Sequence, residues 1–217
     1  MKTTCKAILD GVALILVWPC AALVWLEERW LPGREECFGC FAQMLALSPG
    51  LPGMYLRRAF YRWTLQACAR DVFIGFGTVF STREAVLESG VYIGNYALIG
   101  SAILRKNCLI GSRASLLSGG RLHAQSESGD WLPTNLALRE QIVIGENAWL
   151  GEGVVVMANV GARAMLSAGA VSSTPVPERV MVAGNPARFV KQLAVANTSG
   201  AHERSPVEQQ HHAAVIR

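Results

Sequence analysis

The stretch IGENAWLGEGVV, residues 144–155, contains two consecutive six-residue units, each beginning with an aliphatic residue followed by glycine. Similar units lie between residues 74 and 115: IGFGTV, IGNYAL, IGSAIL and IGSRAS. A period of six cannot keep one face of an α-helix apolar, because a helix has 3.6 residues per turn. Short strands joined by tight turns fit this period, with the aliphatic residues pointing to a shared axis and the glycines relieving the corners. The repeat therefore predicts a parallel β-helix of stacked coils.

The longest interruption of the repeat is LLSGGRLHAQSESGDW, residues 116–131, and it contains His123. The other three histidines, His202, His211 and His212, lie in a polar C-terminal segment. We predict a loop over residues 118–141 that leaves the coils and returns to them. Because rigid scaffolds commonly carry their functional groups on loops, His123 is the candidate catalytic residue.

The N-terminal region is predicted to form a membrane-associated helical segment over residues 1–70. Its uncharged run, residues 11–26, is slightly shorter than the ~20 apolar residues of a spanning helix, and Pro19 lies at its middle. No small-residue cleavage site follows this run, so we expect it to stay in the protein. A single crossing would place the β-helix outside the inner membrane. We expect a bent re-entrant or interfacial helix instead. The alternative is an apolar helix packed against an oligomer partner.

Arginines alternate with aromatic residues after the second apolar stretch, CFGCFAQMLAL. This composition suits an anionic headgroup surface, and it predicts a basic aromatic collar on the membrane. The collar residues are Arg57, Arg58, Arg62 and Arg70, with Tyr55, Phe60, Tyr61 and Trp63.

Charge and cysteine content exclude several classes of function. The net charge is +4, with basic residues dispersed among acidic ones, so nucleic acid is not an expected partner. Six scattered cysteines indicate a reducing compartment. Cys37 and Cys40 have the spacing of a zinc or redox pair, but a zinc site needs four ligands and no second pair follows. We therefore expect no metal.

Residues 194–217 are polar and are predicted to be disordered.

The C-terminal part of the repeat also carries the motifs NAWLG, SAGAV, PVP and GNPAR in this order. With them, the region from about residue 72 to residue 193 resembles the hexapeptide-repeat acyltransferases, which include galactoside, xenobiotic, maltose and serine acetyltransferases. The N-terminal part is similar to a membrane-associated branch of bacterial polysaccharide biosynthesis. The resemblance implies an all-β fold: a left-handed parallel β-helix over residues 71–193, with N-terminal membrane-associated helices and a short C-terminal helix or tail. It also implies a homotrimer with active sites between subunits.

The same resemblance assigns roles to individual residues. It makes His123 a general base, which suits a neutral imidazole of pKa near 6.5. It places Trp149 against the arm of acetyl-CoA, the co-substrate. The remaining cofactor-binding residues that it implies are Ala168, Gly169, Ser173, Thr174 and Arg188.

Two details of the site stay open at the level of sequence. The orienting partner of His123 is Glu127, Asp130, Glu140 or a backbone carbonyl. Many relatives carry lysine where Thr174 stands, so the coenzyme phosphates would depend on Arg188, Arg163 or Arg179.

The expected function is acetyl-CoA-dependent O-acetylation of a hydroxyl on a bacterial glycan or a lipid-linked glycan precursor. Because acetyl-CoA is cytosolic, this activity places the chain on the cytoplasmic face of the inner membrane. The alternatives are a serine or other small-molecule O-acetyltransferase and a non-catalytic β-helix membrane scaffold. A carbonic anhydrase of this fold needs three histidines at zinc, and the repeat contains one.

Overall fold

A computed structural model describes residues 2–119, 125–133 and 139–194, with side chains from residue 6 onward. Three helices come first: α1 Lys2–Trp30, α2 Glu36–Ala46 and α3 Gly50–Thr64. The strands that follow are β1 Ala67–Cys68, β2 Phe73–Ile74, β3 Val79–Phe80, β4 Val86–Leu87, β5 Tyr92–Ile93, β6 Leu98–Ile99, β7 Ala102–Leu104, β8 Leu109–Ile110, β9 Ser115–Leu116, β10 Ile142–Ile144, β11 Trp149–Leu150, β12 Val155–Val156, β13 Met165–Leu166, β14 Val171–Ser172, β15 Val180–Ala183 and β16 Arg188–Gln192.

The strands stack into three sheets that the chain visits in turn. Sheet 1 has the order β1-β4-β7-β10, sheet 2 the order β2-β5-β8-β11-β13-β15, and sheet 3 the order β3-β6-β9-β12-β14, all with parallel pairing. Beyond β10, single parallel bridges from Ile144 to Val160 and from Val160 to Val176 continue sheet 1 toward the C-terminal end of the stack. β16 pairs antiparallel with β15 at the end of the stack, where a short helix or tail had been expected. The predicted left-handed parallel β-helix is confirmed.

Glycine follows the inward aliphatic residue because successive coils touch there. A Cβ atom on Gly75, Gly94, Gly111 or Gly151 would lie 2.5 or 2.6 Å from backbone of the next coil. Real Cβ atoms do not approach backbone so closely, so only glycine fits between coils at this spacing. At the corner between sheets 2 and 3, each coil also has one residue with a left-handed backbone conformation. Examples are Gly153 with φ +67° and Gly169 with φ +70°.

The interior of the β-helix is a continuous apolar column. One residue of nearly every strand points inward and is almost fully excluded from solvent, and each contributes about 1.5–3 kcal/mol through burial. The sheet 2 members of this column are Ile74, Ile93, Ile110, Leu150 and Leu166.

The three helices cover the first coil and leave an apolar surface outside. Tyr61 of α3 packs on Phe80 of β3 with ring centroids 4.5 Å apart, and α1 buries small residues such as Ala21 and Val24. Within the described residues, α1 is the one helix long and apolar enough to cross a membrane, with a mean hydropathy of 2.2 over its apolar window. Only 22% of that window is buried, so most of its apolar side chains face outward.

The expected basic collar is wrong for three of its residues, because Arg57, Phe60 and Tyr61 are buried. Arg57 Nη1 donates to Ser48 O at 2.6 Å and its Nε donates to Ile74 O at 3.2 Å. The carbonyl of Ser48, just beyond the end of α2, and that of Ile74 in β2 each need a donor, and the guanidinium supplies both. Burial lowers the pKa of Arg57.

Candidate active site

The loop predicted to carry the catalytic base leaves and re-enters the coils through a narrow neck. Glu140 N donates to Ser118 O at 3.1 Å, and Ser118 Oγ accepts from Ser101 N at 2.7 Å. Gly119, with φ +86°, lies so close to Glu140 that a Cβ would be 3.0 Å from the Cβ of that glutamate. The two ends of the loop are therefore held together at the corner between sheets 3 and 1. Residues 120–124, which include His123, lie outside the described residues, so its role stays a prediction.

Between the two ends of the loop, residues 125–133 are described and contain a tight turn. Gln125 and Trp131 form an antiparallel bridge, and Asp130 Oδ2 accepts from Ser128 Oγ at 2.7 Å. Asp130 N also donates to Ser126 Oγ at 3.1 Å. Of the proposed orienting residues, Asp130 is thus engaged in its own turn, whereas Glu140 lies in the neck.

Three of the predicted coenzyme residues lie at one corner of the β-helix. Trp149 points outward from β11 and is 51% exposed. Ala168 and Gly169 lie in the next coil, at the corner between sheets 2 and 3. Gly151 lies directly against Ala168 there, and a Cβ on Gly151 would be 2.5 Å from Ala168 N. Among the described residues, no atom beyond the chain neighbours lies within 4 Å of the position of a Cβ on Gly153 or on Gly169. In the described part of the chain, the corner surface beside Trp149 is therefore open.

The other predicted coenzyme residues lie beside or just after β14, the last strand of sheet 3. Ala187 N donates to Val171 O at 2.7 Å, which places Arg188 beside the strand that begins just after Gly169. Ser173 and Thr174 are exposed at the far end of that strand. Arg163 and Arg179 occupy left-handed positions at the other regular corner, between sheets 1 and 2. Of the three arginines, Arg188 is therefore the one whose backbone lies beside the corner that contains Gly169.

No three histidine, cysteine, aspartate or glutamate side chains within the described ranges lie together as a metal site would require. Cys37 N donates to both oxygens of Glu27, at 3.0 and 3.1 Å, so Glu27 caps the start of α2. Burial, followed by the nearby carboxylate of Glu27, raises the pKa of the Cys37 thiol. A raised pKa disfavours the thiolate, which is the form of cysteine that reacts or binds metal.

A cavity of about 670 Å³ that the sequence did not reveal lies beside the neck of the loop. It lies between α1, α3 and the first coils, and its lining includes Trp25, Trp63, Arg83 and Arg139. These residues come from distant stretches, and none belongs to a local motif. The sequence signal that could have pointed to it is the pair of tryptophans, Trp25 in the predicted apolar helix and Trp63 in the predicted collar.

Comparison with known proteins identifies the fold. No protein-family model matches the chain. A solved galactoside acetyltransferase in complex with coenzyme A superposes with a TM-score of 0.62 at 17% identity, over 74% of this chain and 81% of that one. The chain has the left-handed parallel β-helix fold of that acetyltransferase. A maltose O-acetyltransferase from Clostridium difficile 630 shares this hexapeptide-repeat fold with a TM-score of 0.53 at 15% identity, over 74% of this chain and 87% of that one.

Curated relatives of this hexapeptide-repeat chain agree with the predicted resemblance, which is confirmed. A candidate lipopolysaccharide biosynthesis O-acetyl transferase of Escherichia coli K12, WbbJ, is 28% identical over 125 residues, 54% of this chain and 62% of that protein. Serine acetyltransferase 4 of Arabidopsis thaliana is 36% identical over 91 residues, 41% of this chain and 23% of that protein. The chain thus spans less than two thirds of the length of either relative.

Proposed function

We propose that this chain is an acetyl-CoA-dependent O-acetyltransferase. The main support is the loop that leaves the hexapeptide-repeat β-helix and returns to it at one place, where Glu140 N donates to Ser118 O. This loop contains the only histidine in the sequence before residue 202. The open corner beside Trp149 supplies a second, independent surface of the kind an extended coenzyme requires. In this proposal acetyl-CoA is the co-substrate and no metal takes part.

The proposed chemistry uses His123 as a general base and then as a general acid. Its neutral imidazole accepts the acceptor hydroxyl proton as the oxygen attacks the thioester carbonyl carbon. The tetrahedral intermediate then collapses with cleavage of the carbon–sulfur bond, and the imidazolium returns the proton to the departing thiolate. A backbone N–H group would stabilise the oxyanion.

The proposed coenzyme path runs along the corner between sheets 2 and 3. Trp149 would lie against the acyl-bearing arm, and the small residues Ala168 and Gly169 would let that arm approach the coils. Ser173, Thr174 and Arg188 would line the rest of the path. The position of Arg188 beside the same strand supports its role near the phosphates.

The proposed assembly is a homotrimer. The outward face of sheet 2 carries aromatic and aliphatic side chains, including stacked rings of Phe73 and Tyr92 with centroids 4.7 Å apart. Leu109 on the same face is 45% exposed. Apolar side chains in such a row favour contact with another copy of the chain, because association would remove them from water.

The proposed location is the cytoplasmic face of the inner membrane. Ile8, Ile15 and Trp18 of α1 are between 54% and 75% exposed, a surface that a bilayer would cover. The WbbJ relative, with its name from lipopolysaccharide biosynthesis, supports a glycan or lipid-linked glycan precursor as acceptor. A cytosolic acetyl donor requires the β-helix on the cytoplasmic side.

A small-molecule acceptor is the second candidate, because the aligned part of serine acetyltransferase 4 is 36% identical to this chain. The two candidates make different predictions for transfer of radiolabelled acetyl groups by the full chain in detergent. We expect label in a lipid extract that contains lipid-linked glycans, and none in O-acetylserine. Labelled O-acetylserine would establish the second candidate instead. No transfer, together with no binding of acetyl-CoA, would establish a non-catalytic scaffold.

A further inference from the structure

We propose that the cavity between the N-terminal helices and the first coils binds an uncharged sugar unit of the acceptor. This inference deepens the proposed function and rests on it for the identity of the reaction. The cavity volume of about 670 Å³ falls within the range of about 300–1,000 Å³ that is usual for small-molecule sites. Free serine would leave most of this space empty.

Two tryptophans provide fixed aromatic surfaces in the cavity. The indoles of Trp25 and Trp63 meet edge to face, with centroids 5.5 Å apart, and Trp25 Nε1 donates to Trp63 O at 3.1 Å. They remain 42% and 37% exposed. The negative face of an aromatic ring attracts the positive C–H groups of a sugar ring, so tryptophan suits the apolar face of a pyranose.

The tryptophans of the cavity differ from the others on α1. Trp18 and Trp30 are 54% and 74% exposed and do not line the cavity. Such outward tryptophans are typical of a membrane interface. Trp25, in contrast, shares its cavity with carboxylate, amide and guanidinium groups.

The charged groups of the cavity are paired with one another. Arg83 Nη1 lies 2.7 Å from Glu28 Oε2, and Arg139 Nη1 lies 3.1 Å from Glu84 Oε1. Glu35 is a third carboxylate, 3.7 Å from Arg83 Nε. Three carboxylates against two guanidiniums disfavour a phosphate or another anion. The same oxygens and N–H groups offer acceptors and donors to hydroxyl groups, so the ligand class is a neutral polyol such as a sugar.

The position of the cavity connects the helices to the catalytic loop. Arg139 belongs to the neck of the loop, where its Nη1 also donates to Thr82 Oγ1 at 2.9 Å. Gln141 Nε2 donates to Glu84 O at 2.6 Å. On the other side, Trp25 is followed by the outward Leu26 of α1, which is 52% exposed. A lipid-linked acceptor could thus keep its lipid against α1 and its sugar in the cavity.

Saturation-transfer NMR on the full chain in detergent tests this inference. The probes are methyl β-D-galactopyranoside, N-acetylglucosamine and maltose, with L-serine and inorganic pyrophosphate as the contrasting ligands. All binding is measured in His123→Ala protein, so that the result does not depend on turnover. We expect saturation of at least one neutral saccharide, and at least tenfold weaker binding in Trp63→Ala. Trp30→Ala is the matched control and should bind as the parent does.

A second variant keeps the test valid if Trp63→Ala does not fold. Gln66 is an exposed residue of the cavity lining, so Gln66→Ala should preserve the fold, and we expect severalfold weaker saccharide binding. The inference is overturned if no neutral saccharide binds, if pyrophosphate or serine binds in preference, or if both cavity variants bind as the parent does. Saccharide binding without acetyl transfer by the wild-type chain would support the site and refute the proposed reaction.

Discussion

Gly151→Ala and Gly153→Ala should destabilise the β-helix by clearly different amounts, although the two glycines lie in one turn. At Gly151 the added Cβ would lie 2.5 Å from Ala168 N and 2.8 Å from Ser167 C. Both atoms belong to backbone, so the coils must separate, and overpacking of this kind costs about 3 kcal/mol. At Gly153 no atom of the described residues, chain neighbours aside, lies within 4 Å of the added Cβ, so the cost comes from the left-handed backbone at φ +67°.

The penalty at Gly153 is smaller because two effects oppose each other. A non-glycine residue in the left-handed region costs about 1–2 kcal/mol, whereas alanine also reduces the freedom of the unfolded chain by about 0.4–1 kcal/mol. The net loss is about 1 kcal/mol. For a chain of this size, about 3 kcal/mol lowers Tm by about 6–12 °C and about 1 kcal/mol lowers it by about 2–4 °C.

Thermal unfolding followed by circular dichroism, at one protein and detergent concentration, measures both variants. Gly153→Asn is a further control, because asparagine tolerates the left-handed region, and its Tm should lie within about 2 °C of wild type. Equal losses in Gly151→Ala and Gly153→Ala, or an unchanged Tm in Gly151→Ala, would show that contact between coils does not select the first glycine of each unit.

Three further predictions concern charge, burial and the coenzyme. Hydrogen bonds from Arg105 and from Lys106 N lower the pKa of Glu88, so Glu88→Gln should lose less than about 1 kcal/mol at pH 7. In urea unfolding this difference should vanish as the pH falls from about 5 through the lowered pKa, and a constant difference would contradict it. Arg57→Leu leaves buried carbonyls without donors and should lower Tm by about 6–12 °C; the exposed Arg70→Leu is its control, and an equal effect would contradict the argument. Trp149→Ala should raise KM for acetyl-CoA about tenfold with little change in kcat, and an unchanged KM would remove this residue from the proposed path.

The β-helix could be predicted because its physical requirements recur within a few residues. The inward aliphatic residue and the glycine after it are adjacent in sequence, as in Leu150 and Gly151, so the repeat shows both packing and steric contact. The loop was predictable as a break in that repeat, and Ser118 and Glu140 now mark its neck. What the sequence could not show is that the two ends of the loop meet, because Ser118 and Glu140 are far apart in the chain.

The helical region was harder to predict because its burial depends on contacts between distant residues. Arg57 looks like a headgroup contact beside aromatic residues, yet it is buried, because Ser48 and Ile74 present carbonyls to it. The cavity is a similar case. Trp25 and Arg139 are far apart in the chain, and only the packing of helices on the first coil places both in one wall.

In the proposed reaction His123 transfers the proton during acetyl transfer, and the pH dependence of kcat/KM is the decisive measurement of this role. Release of the coenzyme A thiol should rise with pH through an apparent pKa near 6.5, as the imidazole loses its proton. His123→Ala should reduce kcat by about 10²–10⁴-fold and abolish this dependence, whereas His202→Ala should retain both rate and profile. An unchanged rate and pH profile in His123→Ala would contradict the account.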